Sequence, residues 1–406
     1  MTHTNERLGT ARGFAPFILT GLALIVVAAL VLSRGFYDRT AADIFFSLTL
    51  ASALLVFVHV RPISEIPQLA VVTCVLAWSQ ILFLTVPLRW FPLVAWLGVG
   101  SFLLLILRRL WGPEEQKELL QYAIVPPLLL VLLGYSSSTL LEITDTLHPK
   151  TYDLFLFFFD GSLGVQPSFK VGQFVLRSRW LTDVALLFYY GLPIPGILVY
   201  AKQLVRQRNY AVTVFLGLLV AGPVGVLFYN LLPACGPIYL VGADFPFHSP
   251  ASQQFTAMVL QPVAISGIRN AFPSLHMGWA LLAWWYSKGL SRWTRFGLLL
   301  FLAGTVLATL GLGEHYLVDL AAAFPFALLI EAGCALLVPV SDRRKSTSFL
   351  VALLMLFGWV VLLRFEVRIV RLSPLIPWTL IVGTIFSCLA LRRPLQRAVV
   401  EAVHKT

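Results

Sequence analysis

The run Arg-Asn-Ala-Phe-Pro-Ser-Leu-His, Arg269 to His276, places a cation, an amide, a hydroxyl and an imidazole in an otherwise apolar stretch. His315 follows His276 by 39 residues, inside Glu-His-Tyr-Leu-Val-Asp. His315 and Asp319 are four apart, so on a helix they share one face. The aspartate accepts a hydrogen bond from one ring nitrogen and leaves the other as a nucleophile. It also stabilises the cation formed when the ring attacks phosphorus. His276, on a second helix, then protonates the leaving oxygen and later deprotonates an incoming hydroxyl. Pro273 suits the first turn of a helix, whose free N–H groups face an anion. Ser274 adds a hydroxyl, Asn270 an amide, and Arg269 a bidentate clamp on phosphate. No carboxylates or histidines cluster at metal-ligand spacing, and a His-x3-Asp pair alone is not a zinc site. The expectation is phosphoryl transfer with no metal and no cofactor.

Each residue also has a blander reading. A lone histidine at the end of a span usually sits at the interface, and His3, His59, His148, His248 and His404 are read that way. Arg269 alone would be a topology residue. Glu314, beside His315, points to another face and reads as a capping or hydrogen-bonding group. The pair His276 and His315 stands apart because partners, spacing and membrane face agree.

These residues must be carried by membrane helices. The 406-residue chain is 58% hydrophobic and 12% charged, against about 25% charged in soluble domains. It lacks the polar groups to cover a soluble surface, so it reads as an all-α polytopic membrane protein. The net charge of +11 lies in short clusters beside apolar runs, the pattern of topology signals and anionic headgroup contacts. Nucleic-acid binding is therefore not expected. Cys74, Cys235, Cys334 and Cys388 form no C-x-x-C pair, which leaves no redox or zinc motif. The first apolar run is too long for a signal-peptide core, so it reads as a retained span.

At roughly 20 apolar residues per span, about twelve spans are expected: 14–33, 41–60, 67–87, 90–107, 121–140, 180–201, 211–232, 272–289, 296–313, 316–338, 348–364 and 374–391. They divide into a membrane module at 1–120, a catalytic domain at 121–345, and a pair of spans with a basic tail at 346–406. With both termini inside, the clusters at Arg108–Arg109, Lys202–Arg208, Lys288–Arg295, Arg343–Lys345 and Arg392–Arg397 are all cytoplasmic. Only Arg364, Arg368 and Arg371 oppose this, and their spacing suggests an interfacial helix. The long loops 141–179 and 233–271 and the link carrying His315 then share the non-cytoplasmic face.

The first loop holds Phe-Phe-Phe-Asp-Gly-Ser, where Asp160 reads either as a turn or capping carboxylate or as a substrate-facing one. The second opens Leu-Leu-Pro-Ala-Cys-Gly-Pro-Ile-Tyr, a stiff exit that could roof a headgroup pocket.

Pro273-Ser274-Leu275-His276 and His315-x3-Asp319 resemble the second and third signatures of the type 2 phosphatidic acid phosphatase superfamily. The resemblance covers about 150–340 and is strongest over 229–325. Two signature parts are missing. Ala308 and Thr309 stand where the third signature has Ser-Arg, and the Lys-x6-Arg-Pro signature has no match, Pro233 being preceded by Leu232. Loss of those cations, with the His-x3-Asp retained, looks more like the branch of inositol phosphorylceramide and sphingomyelin synthases. The Cys235-Gly236-Pro237 loop looks like bacterial proteins grouped with that branch.

The resemblance implies a six-helix catalytic core in a bacterial inner membrane. It implies a phosphohistidine at His315, oriented by Asp319, with His276 as acid and then base. A phospholipid or polyprenyl-phosphate donor and a lipid hydroxyl acceptor are the implied partners. Tyr229, Asn230 and Tyr239 are candidates by position to replace the missing cations. The alternatives are a lipid phosphate phosphatase, with water as acceptor, and a non-catalytic lipid transporter or scaffold.

Overall fold

A computed structural model describes residues 48–61, 63–84, 90–248 and 259–403. The expected span 14–33 and the start of 41–60 lie outside the described residues. The helices are α1 (Ala53–Val60), α2 (Ile66–Leu84), α3 (Trp90–Trp111), α4 (Glu114–Leu147), α5 (Asp153–Gly161), α6 (Pro167–Val175), α7 (Arg179–Tyr190) and α8 (Pro193–Arg206). They continue as α9 (Arg208–Leu231), α10 (Pro237–Val241), α11 (Leu275–Tyr286), α12 (Arg292–Gly311), α13 (Leu317–Cys334), α14 (Arg343–Val361) and α15 (Leu375–Val403). Among the described residues seven helices are long and apolar enough to cross a membrane, or eight if the bent pair α7–α8 is one span.

Three expected spans change on inspection. The span at 180–201 is two helices bent by 47°, because Gly191 ends α7 and Pro193 opens α8. The span at 272–289 shrinks to the 12 residues of α11, cut by the Ser274 cap and by Ser287 at its end. At 1.5 Å per residue that is about 18 Å, too short to cross alone. The span at 121–140 is the middle of α4, whose 34 residues reach about 51 Å. That exceeds a hydrocarbon core of about 30 Å, and the last turns carry Thr144 and Asp145.

α13 is the axis of the core. Almost every residue of it is buried, and α11, α9, α14 and α15 pack around it. The small run Ala321–Ala323 lets those neighbours approach closely. α15 instead shows Val382 and Phe386 outward, as a lipid-facing helix does.

Two ends of the bundle differ. At one, Gln203 Nε2 donates to Tyr286 O at 2.8 Å and Arg392 Nε donates to Glu331 Oε2 at 2.8 Å. Arg392 also lies 4.5 Å over the Trp285 ring. The basic clusters of α8, α12, α14 and α15 gather there. At the other end the two polar loops are joined by an antiparallel bridge between Thr151 and Val263. α14 runs on through irregular turns to Leu372 that pack on α5. These turns, π-helical over Leu362–Glu366 and 3₁₀ over Val367–Leu372, carry the three arginines and bring Arg364 Nη1 to Leu231 O at 3.0 Å.

Candidate active site

Both histidines sit where helices begin. Ser274 is the N-cap of α11, its hydroxyl accepting the Met277 N–H at 3.3 Å. His276 thus lies in the first turn. Pro273 precedes the cap and is not inside the helix. The Ser274 N–H donates to Asp319 O at 3.2 Å, which ties the starts of α11 and α13 together. As a result the rings of His276 and His315 lie 5.9 Å apart, edge to face. The hairpin of α11 and α12 expected from the 39-residue spacing does bring them to one end.

The His315 ring is 1% exposed. Its Nδ1 lies 3.0 Å from Ala271 O and 3.5 Å from Asp319 Oδ2. A carbonyl can only accept, so Nδ1 carries the proton and Nε2 keeps its lone pair. The sequence reading assigned this role to Asp319 alone; the nearer acceptor is a backbone carbonyl. Asp319 Oδ2 also accepts the Tyr316 N–H at 2.8 Å, while Oδ1 is buried with no hydrogen-bond partner. Burial, then the neighbouring His276, push His315 down to about 3 against the Ala271 carbonyl. The ring is therefore neutral and nucleophilic at physiological pH.

Two further carboxylates fix the link between α12 and α13. Asp160 Oδ2 accepts the Leu317 N–H at 2.7 Å and Oδ1 the Val318 N–H at 3.2 Å. It caps α13, the first of the two readings open for it in the sequence, and its side chain is buried. Burial raises it to about 7, opposed by those two N–H groups. Asp153 accepts the N–H groups of Cys235 at 3.0 Å and Gly236 at 2.8 Å, and the Tyr316 hydroxyl at 3.0 Å. Burial raises it too, opposed by Thr151, Gly236, Cys235 and Tyr316. Asp153 was missed in sequence because its partners lie 82 and 163 residues away. Gly236 has φ 127°, and a Cβ there would meet Glu314 O at 2.4 Å. Only glycine lets the Cys-Gly-Pro loop lie against the histidine link.

The other candidates divide. Arg269 is buried, ion-paired with Asp145, and donates to Gly267 O and, at 3.2 Å, to His148 O. Its guanidinium pins the loop to α4 through Asp145. Asn230 is likewise engaged, with His148 at 3.0 Å, Thr144 at 3.2 Å and Val226 O at 2.8 Å. Tyr229, Asn270 and His276 line one cavity of about 260 Å³, and Asn270 Oδ1 is buried without a partner. Tyr239 instead faces Glu314, its hydroxyl 3.2 Å from Oε2. Thr309, at the expected arginine position, turns its hydroxyl to Thr305 O at 2.8 Å, so no cation replaces the arginine there. Tyr189, absent from the expectations, stacks on His276 with ring centres 4.0 Å apart. Among the described residues no group of three His, Cys, Asp or Glu is placed to hold a metal ion.

The cavity is a groove with a polar head. Tyr189, Tyr229, Asn270 and His276 form the head, and Val226, Gly222 and Leu218 lead away along α9. From Tyr229 to Leu218 that is about 16 Å of helix. Leu133, Leu141 and Ile197 make the apolar wall from α4 and α8.

Residues 154–332, which contain both histidines, Asp160, Arg269 and Asp319, match the family model of the PAP2 superfamily. No curated protein and no solved structure matches the chain. The family match supports a lipid phosphatase or phosphotransferase type of function in an integral membrane protein.

Proposed function

We propose that this chain, whose PAP2-superfamily segment carries the site, is a lipid phosphotransferase working through a phosphohistidine. The observation that carries the reading is a neutral His315, proton fixed on Nδ1, facing His276 at the head of an apolar groove. His315 Nε2 attacks phosphorus and forms the N–P bond. The P–O bond to the lipid alcohol breaks, its electron pair goes to that oxygen, and His276, which burial holds neutral until the anionic phosphate beside it favours its protonated form, supplies the proton. In the second half His276 takes the proton of an acceptor hydroxyl, whose oxygen attacks phosphorus and frees His315. Asp319 steadies the imidazolium that forms. Because His276 lines the groove and His315 does not, the leaving alcohol is the lipid, and the group retained on phosphorus lies on the His315 side. The donor is a phospholipid and the acceptor a second lipid alcohol, met at the non-cytoplasmic face.

The charge balance favours transfer of a phosphodiester over hydrolysis of a phosphomonoester. A doubly charged phosphomonoester needs cations, yet Thr309 takes the arginine position, Arg269 is paired with Asp145, and Glu314 is adjacent. The test is purified protein in liposomes with a phospholipid labelled at phosphorus. Label in a new lipid is the expected product; label only as free phosphate would make the protein a phosphatase. His315→Ala should lose at least ~10³-fold in turnover and His276→Ala ~10²–10⁴-fold. Full turnover in His315→Ala would remove the nucleophile.

A further inference from the structure

We propose that Tyr189 is the positioning residue for His276: its ring, stacked on the imidazole and tethered to Glu314, holds the acid–base group in the orientation that proton transfer needs. The inference rests on the phosphotransferase reading and adds to it a residue on a third element, α7.

The two histidines are held by different means. His315 has its Nδ1 within reach of the Ala271 carbonyl and of Asp319, so two acceptors fix its tautomer and its ring plane. His276 lines the groove, and among the described residues no hydrogen bond reaches its ring. The last torsion of a histidine side chain is soft. A ring free to turn about it does not keep a nitrogen aimed at a reacting oxygen, and a misplacement of about 1 Å costs roughly 10²-fold in rate.

Tyr189 supplies that constraint. Its ring centre lies 4.0 Å from that of His276, with the two planes 22° apart. A face-to-face contact fixes the plane of the imidazole and leaves both nitrogens, which lie at the ring edge, open to the groove. Tyr189 is itself held. Tyr190 meets its ring edge-on at 5.4 Å, and its hydroxyl lies 3.4 Å from Glu314 Oε2. Glu314 immediately precedes His315. One side chain therefore touches the carriers of both histidines: the first turn of α11 through its ring, and the link before α13 through its hydroxyl. The end of α7 puts it there. Tyr189 lies in the last turn of that helix, just before Gly191 ends it and the chain bends into α8. α7 also packs on α12, which leads into the histidine link. The bend that divides this apolar run thus delivers an aromatic ring to the site.

The experiment uses two kinds of donor on the full-length protein in proteoliposomes. Bis(p-nitrophenyl) phosphate carries a leaving group that departs as a stable anion. His315 Nε2 forms the N–P bond, the P–O bond breaks, and p-nitrophenolate keeps the electron pair without a proton from His276. A mixture of dioleoyl phosphatidylethanolamine, phosphatidylglycerol, phosphatidylcholine and phosphatidylinositol carries an alkoxide leaving group that needs that proton, and is read by diacylglycerol release. Tyr189→Leu should lower diacylglycerol release at least ~10²-fold, through kcat with KM little changed, and keep the nitrophenolate burst within ~3-fold of wild type. The intact burst also shows that the variant is folded. Tyr189→Phe keeps the stack and should recover diacylglycerol release to within ~10-fold of wild type. Equal losses on both kinds of donor would make Tyr189 a packing residue and overturn the proposal. So would full diacylglycerol release by Tyr189→Leu, or a Tyr189→Phe variant as slow as Tyr189→Leu. The wild-type arm tests the underlying reading separately: a wild type that releases no diacylglycerol would remove the phosphotransferase and, with it, the proton transfer that Tyr189 serves.

Discussion

Arg269 shows how a side chain's chemistry and its employment can part. Its type and its place five residues before Ser274 point to phosphate, yet the folded chain spends the guanidinium on Asp145 and two carbonyls. The ion pair itself contributes modestly, because Asp145 is half exposed. The bonds to the half-buried carbonyls of His148 and Gly267 matter more, as hydrogen bonds from charged donors contribute about 1.5–3 kcal/mol. Arg269→Gln should therefore lower stability by ~2–3 kcal/mol, seen as a lower melting temperature, and Asp145→Asn should produce a smaller shift in the same direction. A raised KM for phospholipid with an unchanged melting temperature would restore the clamp. The reacting atoms were legible because histidine, aspartate and Pro-Ser advertise themselves by type and spacing. The Ala271 carbonyl that holds the His315 proton is backbone and leaves no such mark. Tyr189 was hidden because its partner is 125 residues distant in Glu314.

At the scale of elements, the first turn of α13 is the part on which the site depends. Three carboxylates, Asp153, Asp160 and Asp319, serve that turn and the loop beside it. Asp160 holds its proton to about pH 7 in the folded chain, against about 4 when unfolded. Its stabilising contribution is complete below pH ~4 and is lost as pH rises through 7. Melting temperatures measured from pH 5 to 8 should fall, and the drop, on the order of 3 kcal/mol, should flatten in Asp160→Asn. An unchanged slope would show that Asp160 does not titrate there. Gly236→Ala should lower kcat sharply with the helices intact by circular dichroism, because the new methyl pushes on the Glu314 carbonyl. The length of the apolar runs marks most of the long helices. It could not place the break at Gly191–Pro193 or the short start of α11, since those ends are set by caps and turn residues inside continuous apolar sequence.

Across the whole molecule, the charge pattern and the fold agree on two distinct ends. The joined loops and the histidines lie at one, the Glu331–Arg392 pair and the basic clusters at the other. A cysteine introduced at exposed Ala243, on a background without the native cysteines, should react with an impermeant maleimide added outside intact cells. One at exposed Ser346 should react only after the membrane is opened. The reverse pattern would turn the protein over and place the chemistry in the cytoplasm. Thr49 lines the same groove as His276, and α1 packs on α8.

That groove also has a pharmacological consequence. Its walls are leucine, isoleucine and glycine from α4, α8 and α9, so a competitor for it is supplied by the bilayer. Potency will then follow mole fraction in the membrane, and the half-inhibitory dose of an alkylated phosphonate will climb in proportion to the lipid in the assay.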